Sequence, residues 1–331
     1  IAGIIDELED TLSDPGLAGI DEIRADDLTV TLEDARTGRL WQASNASLRL
    51  ARTGTGLSIT LVSELFNGTD DLAEVQLSAR SFFGSARASF GATVSGVPAA
   101  DIAVQAPALS YLGVLDAPIS GAIRTRLDSE GALADFAATL DLGRGALRPV
   151  PDAPPVPFER GRAYFSFDPE AQRITFTDVS VQSDVLALSA EGQAWLGDFD
   201  GIWPASLTGQ LALTEARIDP EGVFETPVSI ADGTADFRIR LEPFSVEIGR
   251  LSAEVAGARL DASARAGVGG ADWDVAVDAG IDRIGAKAVL AHWPQTLVPK
   301  TREWLERNIS AGSLSDIRAA MCIADGAPPI S

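Results

Sequence analysis

Few residues in this sequence have the types and spacing that chemistry requires. Its one histidine, His292, stands beside Trp293 with no serine or aspartate motif around it, and its one cysteine is Cys322. A single imidazole excludes the usual two- and three-histidine metal sites and argues against a histidine-centred triad. A single thiol excludes internal disulfides and cysteine-held zinc. Asp198-Phe199-Asp200-Gly201 has some of the character of a calcium loop. Neither a third acidic ligand nor a terminal glutamate follows at the required spacing, so it reads as a polar turn. Asp26-Asp27 and Asp70-Asp71 are adjacent carboxylates. On a strand they would face opposite ways, and solvated turns explain them better than paired acid–base work. Gly267-Val268-Gly269-Gly270 lacks the lysine and helix of a phosphate loop. His292 is expected to be a packing residue at a helix entry. No catalytic residue, metal ligand or cofactor is expected, and the chain reads as non-enzymatic.

Charge narrows the partners. The chain has 331 residues, with 48 Asp and Glu against 26 Lys and Arg, giving a formal charge of −22. Such a surface is unsuited to nucleic acid, whose phosphates need a basic footprint. One cysteine fits either a cytoplasm or a bacterial periplasm. No apolar run of about 18 residues, the length that would span a bilayer, occurs. The sequence begins at Ile1 and ends in Ala327-Pro328-Pro329-Ile330-Ser331, and it reads as a piece of a longer protein whose missing N-terminal part could carry an anchor.

The elements that must position any site are mostly strands. Residues 1–12 place Ile1, Ile4, Ile5, Leu8 and Leu12 on one helical face, and Asp14-Pro15-Gly16 ends that helix. From Asp27 the period becomes two and stays so for about 250 residues of hairpin grammar. The stretch 106–115 reads as a short connecting helix or an irregular crossing. Five prolines between Pro149 and Pro157 exclude a central strand or helix, and a surface loop is favoured there over a domain boundary. At residue 290 the pattern changes to an amphipathic helix with Pro299 at its first turn and Gly312 as its stop. Within it Trp304 is expected to pack the helix against a sheet edge or groove mouth, and Arg302 to pair with Glu306.

The alternation has a consequence. Ala235, Phe237, Ile239 and Leu241 alternate with Asp236, Arg238 and Arg240, so one face is apolar and the other wet. An apolar sheet face needs a cover. Helices are scarce, so either the sheet curls on itself or something other than protein fills the concavity. Two three-strand meanders, within 161–192 and 233–267, echo each other in the manner of a solenoid or extended sheet.

Two stretches carry a family resemblance. Gly19 to Trp41 resembles the opening strand pair of AsmA-like proteins of Gram-negative envelopes. His292-Trp293-Pro294, Pro299-Lys300-Thr301-Arg302, Trp304-Leu305, Asn308 and Gly312-Ser313-Leu314-Ser315-Asp316 resemble the middle region of the large YhdP-type members. With the strand echoes, the resemblance spans nearly the whole chain. It implies a bridge-like lipid transfer protein, anchored in the inner membrane by an N-terminal helix and crossing the periplasm as a twisted β-gutter. It further implies phospholipid as cargo, a role in envelope integrity, and possible envelope protein partners. A two-chain phospholipid with about 30 CH₂ groups at ~0.8 kcal/mol each would cost on the order of 20 kcal/mol to bring into water, and an apolar groove removes most of that barrier.

The expected fold is thus mostly β: an elongated, twisted antiparallel sheet curled into a groove, with short helices near both ends. The expected segments are a helix at 1–18, β-groove at 19–148, a Pro-rich loop at 149–157, β-groove at 158–289, a helix at 290–312 and a further β segment from 313. The residues expected to line the groove are Phe165, Phe167, Ile174 and Phe176, then Leu186 and Leu188, then Phe237, Ile239, Leu241, Val246, Ile248 and Leu260. Phe237→Asp is expected to weaken lipid loading without unfolding the chain. The rival readings are a dry-cored scaffold and a regulator that captures partner strands at sheet edges.

Overall fold

The computed structural model describes residues 19–34, 39–66, 73–104, 107–201, 203–270, 272–295, 298–309 and 311–323. The helix expected at residues 1–12 and the Asp70-Asp71 pair lie outside them. The period-two stretches are strands: β1 (Glu22–Asp34), β2 (Arg39–Thr53), β3 (Gly56–Phe66), β4 (Ala73–Phe82), β5 (Ser85–Pro98), β6 (Leu115–Asp116), β7 (Pro118–Leu127), β8 (Leu133–Leu142), β9 (Gly145–Leu147) and β10 (Val156–Phe158). They continue as β11 (Arg160–Asp168), β12 (Arg173–Gln182), β13 (Leu186–Asp200), β14 (Trp203–Ile218), β15 (Val228–Ile230), β16 (Gly233–Leu241), β17 (Phe244–Val255), β18 (Ala258–Gly269), β19 (Asp272–Gly285) and β20 (Ser313–Ile323). The helices are α1 (Ala99–Ala103), a 3-10 segment over Pro107–Val114, α2 (Ala286–Ala291) and α3 (Pro299–Asn308). The chain is mostly β and antiparallel, as the alternation requires. Seventeen strands share one sheet, and β6, β9 and β10 form a second. No helix among the described residues is long and apolar enough to cross a membrane.

Contacts divide the chain into two compact units. The first comprises Ile1–Pro98, Pro118–Asp141 and Tyr164–Ala171; the second comprises Ala99–Ala117, Leu142–Ala163 and Gln172–Ser331. The division does not fall at the Pro-rich stretch, which is a loop after β9 as far as Pro155 and enters β10 at Val156 and Pro157.

The first unit is a meander in which β1, β2, β3, β4, β5, β7 and β8 pair in turn. Its register aligns Leu48, Leu61, Leu77, Ala92 and Ile123 across five strands. One residue along, the aligned set is Arg49, Thr60, Ser78, Gly91 and Arg124. Because side chains alternate, these rows stand on opposite faces, and a one-residue slip would exchange them. Asp26-Asp27 is not a turn. It is a bulge inside β1, where the register shifts between Ala25 and Leu28 and Asp27 has φ 56°. Short polar side chains tolerate that left-handed conformation better than apolar ones. Asp26 accepts hydrogen bonds from Ser47 Oγ at 2.5 Å and Arg24 Nε at 2.8 Å. The Ser47 hydroxyl and the Arg24 guanidinium hold its carboxyl below the ordinary range.

The second unit pairs β12, β13, β14, β16, β17, β18, β19 and β20 in sequence, with β15 against the end of β14. The tetrapeptide expected as a polar turn is not one throughout: Asp198, at φ 51°, to Asp200 belong to β13, and the β13–β14 hairpin turns at Gly201, φ 63°. Gly270, with φ 87°, turns β18 into β19. The same unit holds an insert outside the large sheet. It consists of α1, the 3-10 segment and the small β6–β9–β10 sheet.

The C-terminal helical region departs from expectation. One helix over 290–312 is instead two, α2 and α3, because Pro294 disfavours helical backbone at Trp293. His292 lies at the exit of α2, not at a helix entry; its Nδ1 is 2.9 Å from the Ala288 carbonyl oxygen. Arg302 pairs with Glu306 at 2.5 Å as the spacing predicts, and also with Glu225 at 2.9 Å. Trp304 does not pack: it is 58% exposed. Arg302, Leu305 and Ile309 form the half-buried side of this segment, and Trp304, two residues on from Arg302, falls on the other side.

Candidate apolar binding face

The second unit carries one apolar row across eight strands. Ile174, Ala194, Gly209, Phe237, Ile248, Ala264, Val277 and Met321 are aligned pair by pair from β12 to β20. The adjacent row, Thr175, Gln193, Gln210, Asp236 and Arg250, is polar and faces the other way. Its members bond across strands, as in Gln210 Nε2 to Asp236 at 2.7 Å. On the same face Arg240 and Arg265 both reach Glu247, at 3.3 and 3.9 Å. The Ser252 hydroxyl and the Arg259 guanidinium lower the pKa of Asp261 on that side. Charge is thus segregated from the apolar row.

Burial varies steeply along the row. Ile174 is 2% exposed, Phe237 8% and Met321 41%, with Ile248, Ala264 and Val277 half-buried between. At the buried end the strands are tight. A Cβ on Gly209 would lie 2.3 Å from the Gln193 carbonyl oxygen and 2.7 Å from the Ala194 Cβ, so only glycine keeps that spacing. The insert sits along the hairpin edge of these strands, with contacts from the β13–β14 hairpin to the start of β19. Its 3-10 segment touches β14. Its Tyr111 lies near Asp198, and burial, with that carboxylate, pushes the phenol's pKa well up. The loop between β9 and β10 accepts a hydrogen bond at the Pro154 carbonyl from Trp273 Nε1, 2.8 Å away, and Trp273 stands edge-on to Phe244.

The twelve residues singled out from the sequence divide accordingly. Phe165 and Phe167 are buried in β11, and Phe165 lies 6.1 Å from the Phe136 ring. Ile174 and Phe237 are also buried. Phe176, Leu186, Ile239, Leu241, Val246 and Ile248 are half-buried. Leu188 and Leu260 pack against a buried cluster of Ala216, Ile230, Ala253 and Val255. Sequence reasoning overlooked the more open positions. Leu77, at the middle of β4 in the first unit, is 42% exposed on the same row as Leu61 and Ala92, and Met321 stands open in the second unit. The alternation in 57–61 and 75–79 carried that signal. Aromatic-rich strands drew attention away from it, yet large aromatics are what fill cores.

Among the described residues no group of three metal-binding side chains converges. A depression of about 790 Å³ lies elsewhere, lined in part by Glu191, Thr214, Asp232, Thr234, Glu254 and Asp282. Its carboxylates make it unsuited to acyl chains, so it is not the face described above. Comparison with protein-family models, curated proteins and solved structures gave no match for this chain.

Proposed function

We propose that the apolar sheet face binds and conducts phospholipid acyl chains, without catalysis. The observation that carries this reading is Leu77. It stands mid-strand, 42% exposed, in an aligned row of Leu48, Leu61, Ala92 and Ile123. Apolar rows left open to water mark a surface with an occupant. Hydrocarbon suits such a row because it demands area and no specific polar partner. The chain's formal charge of −22 would keep its flanks off anionic lipid. The resemblance to AsmA-like proteins extends the proposal to a setting: a periplasmic segment of an inner-membrane-anchored protein, moving phospholipid toward the outer membrane beside envelope partners.

The test is lipid extraction and mass spectrometry on the chain purified from a Gram-negative periplasm under mild conditions. Co-purifying phospholipid, lost in a Leu61→Asp, Leu77→Asp variant that still folds by circular dichroism, is the expected result. A folded wild-type chain with no lipid above background would overturn the reading. The buried rows at Ile174, Ala194 and Phe237 would then represent the whole sheet, and the protein would be a scaffold.

A further inference from the structure

We infer that the insert of the second unit is a displaceable cover over the hairpin edge of the apolar face; as a lipid gate it rests on the reading proposed above. The sheet does not need the insert for its own hydrogen bonds. β5 and β7 pair directly until Pro98 stands opposite Pro118, so residues 99–117 leave the sheet and return at a closed gate. The insert also holds itself together. Ala99 N donates to Ala117 O at 2.9 Å, and Arg148 N to Val114 O at 2.8 Å. β9 pairs with both β6 and β10, and Ile102, Ala108, Leu109 and Phe158 are buried.

Its fit to the sheet is less complete than its fit to itself. The Trp273 indole bonds the Pro154 carbonyl across a wide gap in sequence. Tyr111, by contrast, brings a phenol oxygen to the contact that is out of water and without a hydrogen-bond partner. An unsatisfied buried hydroxyl weakens the contact that buries it. A contact that buries a phenol without a hydrogen-bond partner is one that can separate. Close to this contact in the strands, Leu196 and Leu207 are both buried and paired beside the β13–β14 hairpin. Their row continues through Ile239 and Val246 to Val275 in the half-open part of the face. Lifting the cover would lengthen the open apolar surface without changing any strand pairing.

Two substitutions should act in opposite directions. Trp273→Phe keeps the ring and removes the donor; Tyr111→Phe keeps the ring and removes the orphaned hydroxyl. The experiment is hydrogen exchange by mass spectrometry on the full chain and both variants, with cis-parinaric acid binding measured in parallel. In the wild type, insert amides should exchange faster than those of β14 and β16. Trp273→Phe should speed insert exchange about fivefold, the factor one net hydrogen bond represents, and Tyr111→Phe should slow it. Fatty-acid binding should rise in the first variant and fall in the second. Insert amides that exchange together with β14 and β16 in all three proteins would show a fixed core and overturn the inference. So would exchange shifts with unchanged binding in proteins that do bind the probe. Exchange shifts with no probe bound by any of the three would sink the lipid reading and leave the cover standing.

Discussion

The two ends of the second unit's apolar row have the same pattern and opposite environments. At Ile174, Ala194 and Phe237 the alternating side chains are sealed, whereas at Val277 and Met321 the same face thins out toward solvent. Strand pairing is continuous between them. Period-two patterning therefore determines which face is apolar, but not what lies on it.

The contrast can be broken most sharply at Phe237. Phe237→Asp places a carboxylate where the ring is 8% exposed, and burying an unpaired charge costs far more than one contact. The expected loss is about 4 kcal/mol or more, enough to unfold a marginal domain, as read by chemical denaturation. This replaces the sequence-based expectation of weakened loading in a folded chain. Ile174→Ala at the same end should cost about 2–5 kcal/mol. Survival of a cooperative, undiminished transition in either variant would mean the sealed end is not a core.

Gly209→Ala sharpens the comparison through the backbone. Its new methyl meets the Gln193 carbonyl and Ala194, so β13 and β14 must move apart at a cost of about 1–3 kcal/mol. A thermal midpoint equal to wild type would contradict the tight spacing. At the open end the balance reverses. Met321→Asp, at a side chain 41% exposed, should change stability by only ~0.5 kcal/mol while reducing fatty-acid binding in a fluorescence titration. Undiminished binding would remove this end from the proposed conduit.

The smallest effect should ignore the contrast altogether. Asp26 and Asp261 have carboxyl pKa values lowered by hydroxyl and guanidinium partners on exposed strand surfaces. A lowered folded value means that their contribution is present above the unfolded carboxylate value and lost as pH falls below about 4. Melting midpoints measured from pH 6 to pH 3 should decline less in Asp26→Asn than in wild type. Identical declines would show that the Ser47 and Arg24 partners contribute nothing.

Strand content was legible in the sequence because Ala235 to Leu241 and its counterparts alternate without ambiguity. The insert was legible only in part. The stretch 106–115, read as a short connecting helix or an irregular crossing, holds the 3-10 segment, but β6, β9 and β10 have two or three residues each, too short to express a period. In the sequence Phe237 and Met321 look alike as apolar members of alternating strands, and only the structure separates the buried one from the open one. The bulges were hidden for a similar reason. Asp26-Asp27 has the composition of a turn, and only the pairing of β1 with β2 reveals an extra residue inside a strand. Trp304 was misread because a helix with a few apolar residues was assumed to bury the largest, whereas Arg302 anchors this one.

The pairing of Pro98 with Pro118 has a consequence for how such a chain can change over time. A detour that begins and ends at facing positions of a hairpin has no mechanical effect on the register around it. Residues could be added to or removed from the detour one at a time without passing through a mispaired sheet. The detour is therefore a site where length is nearly neutral for folding, and where a lineage could adjust the cover independently of the surface it covers.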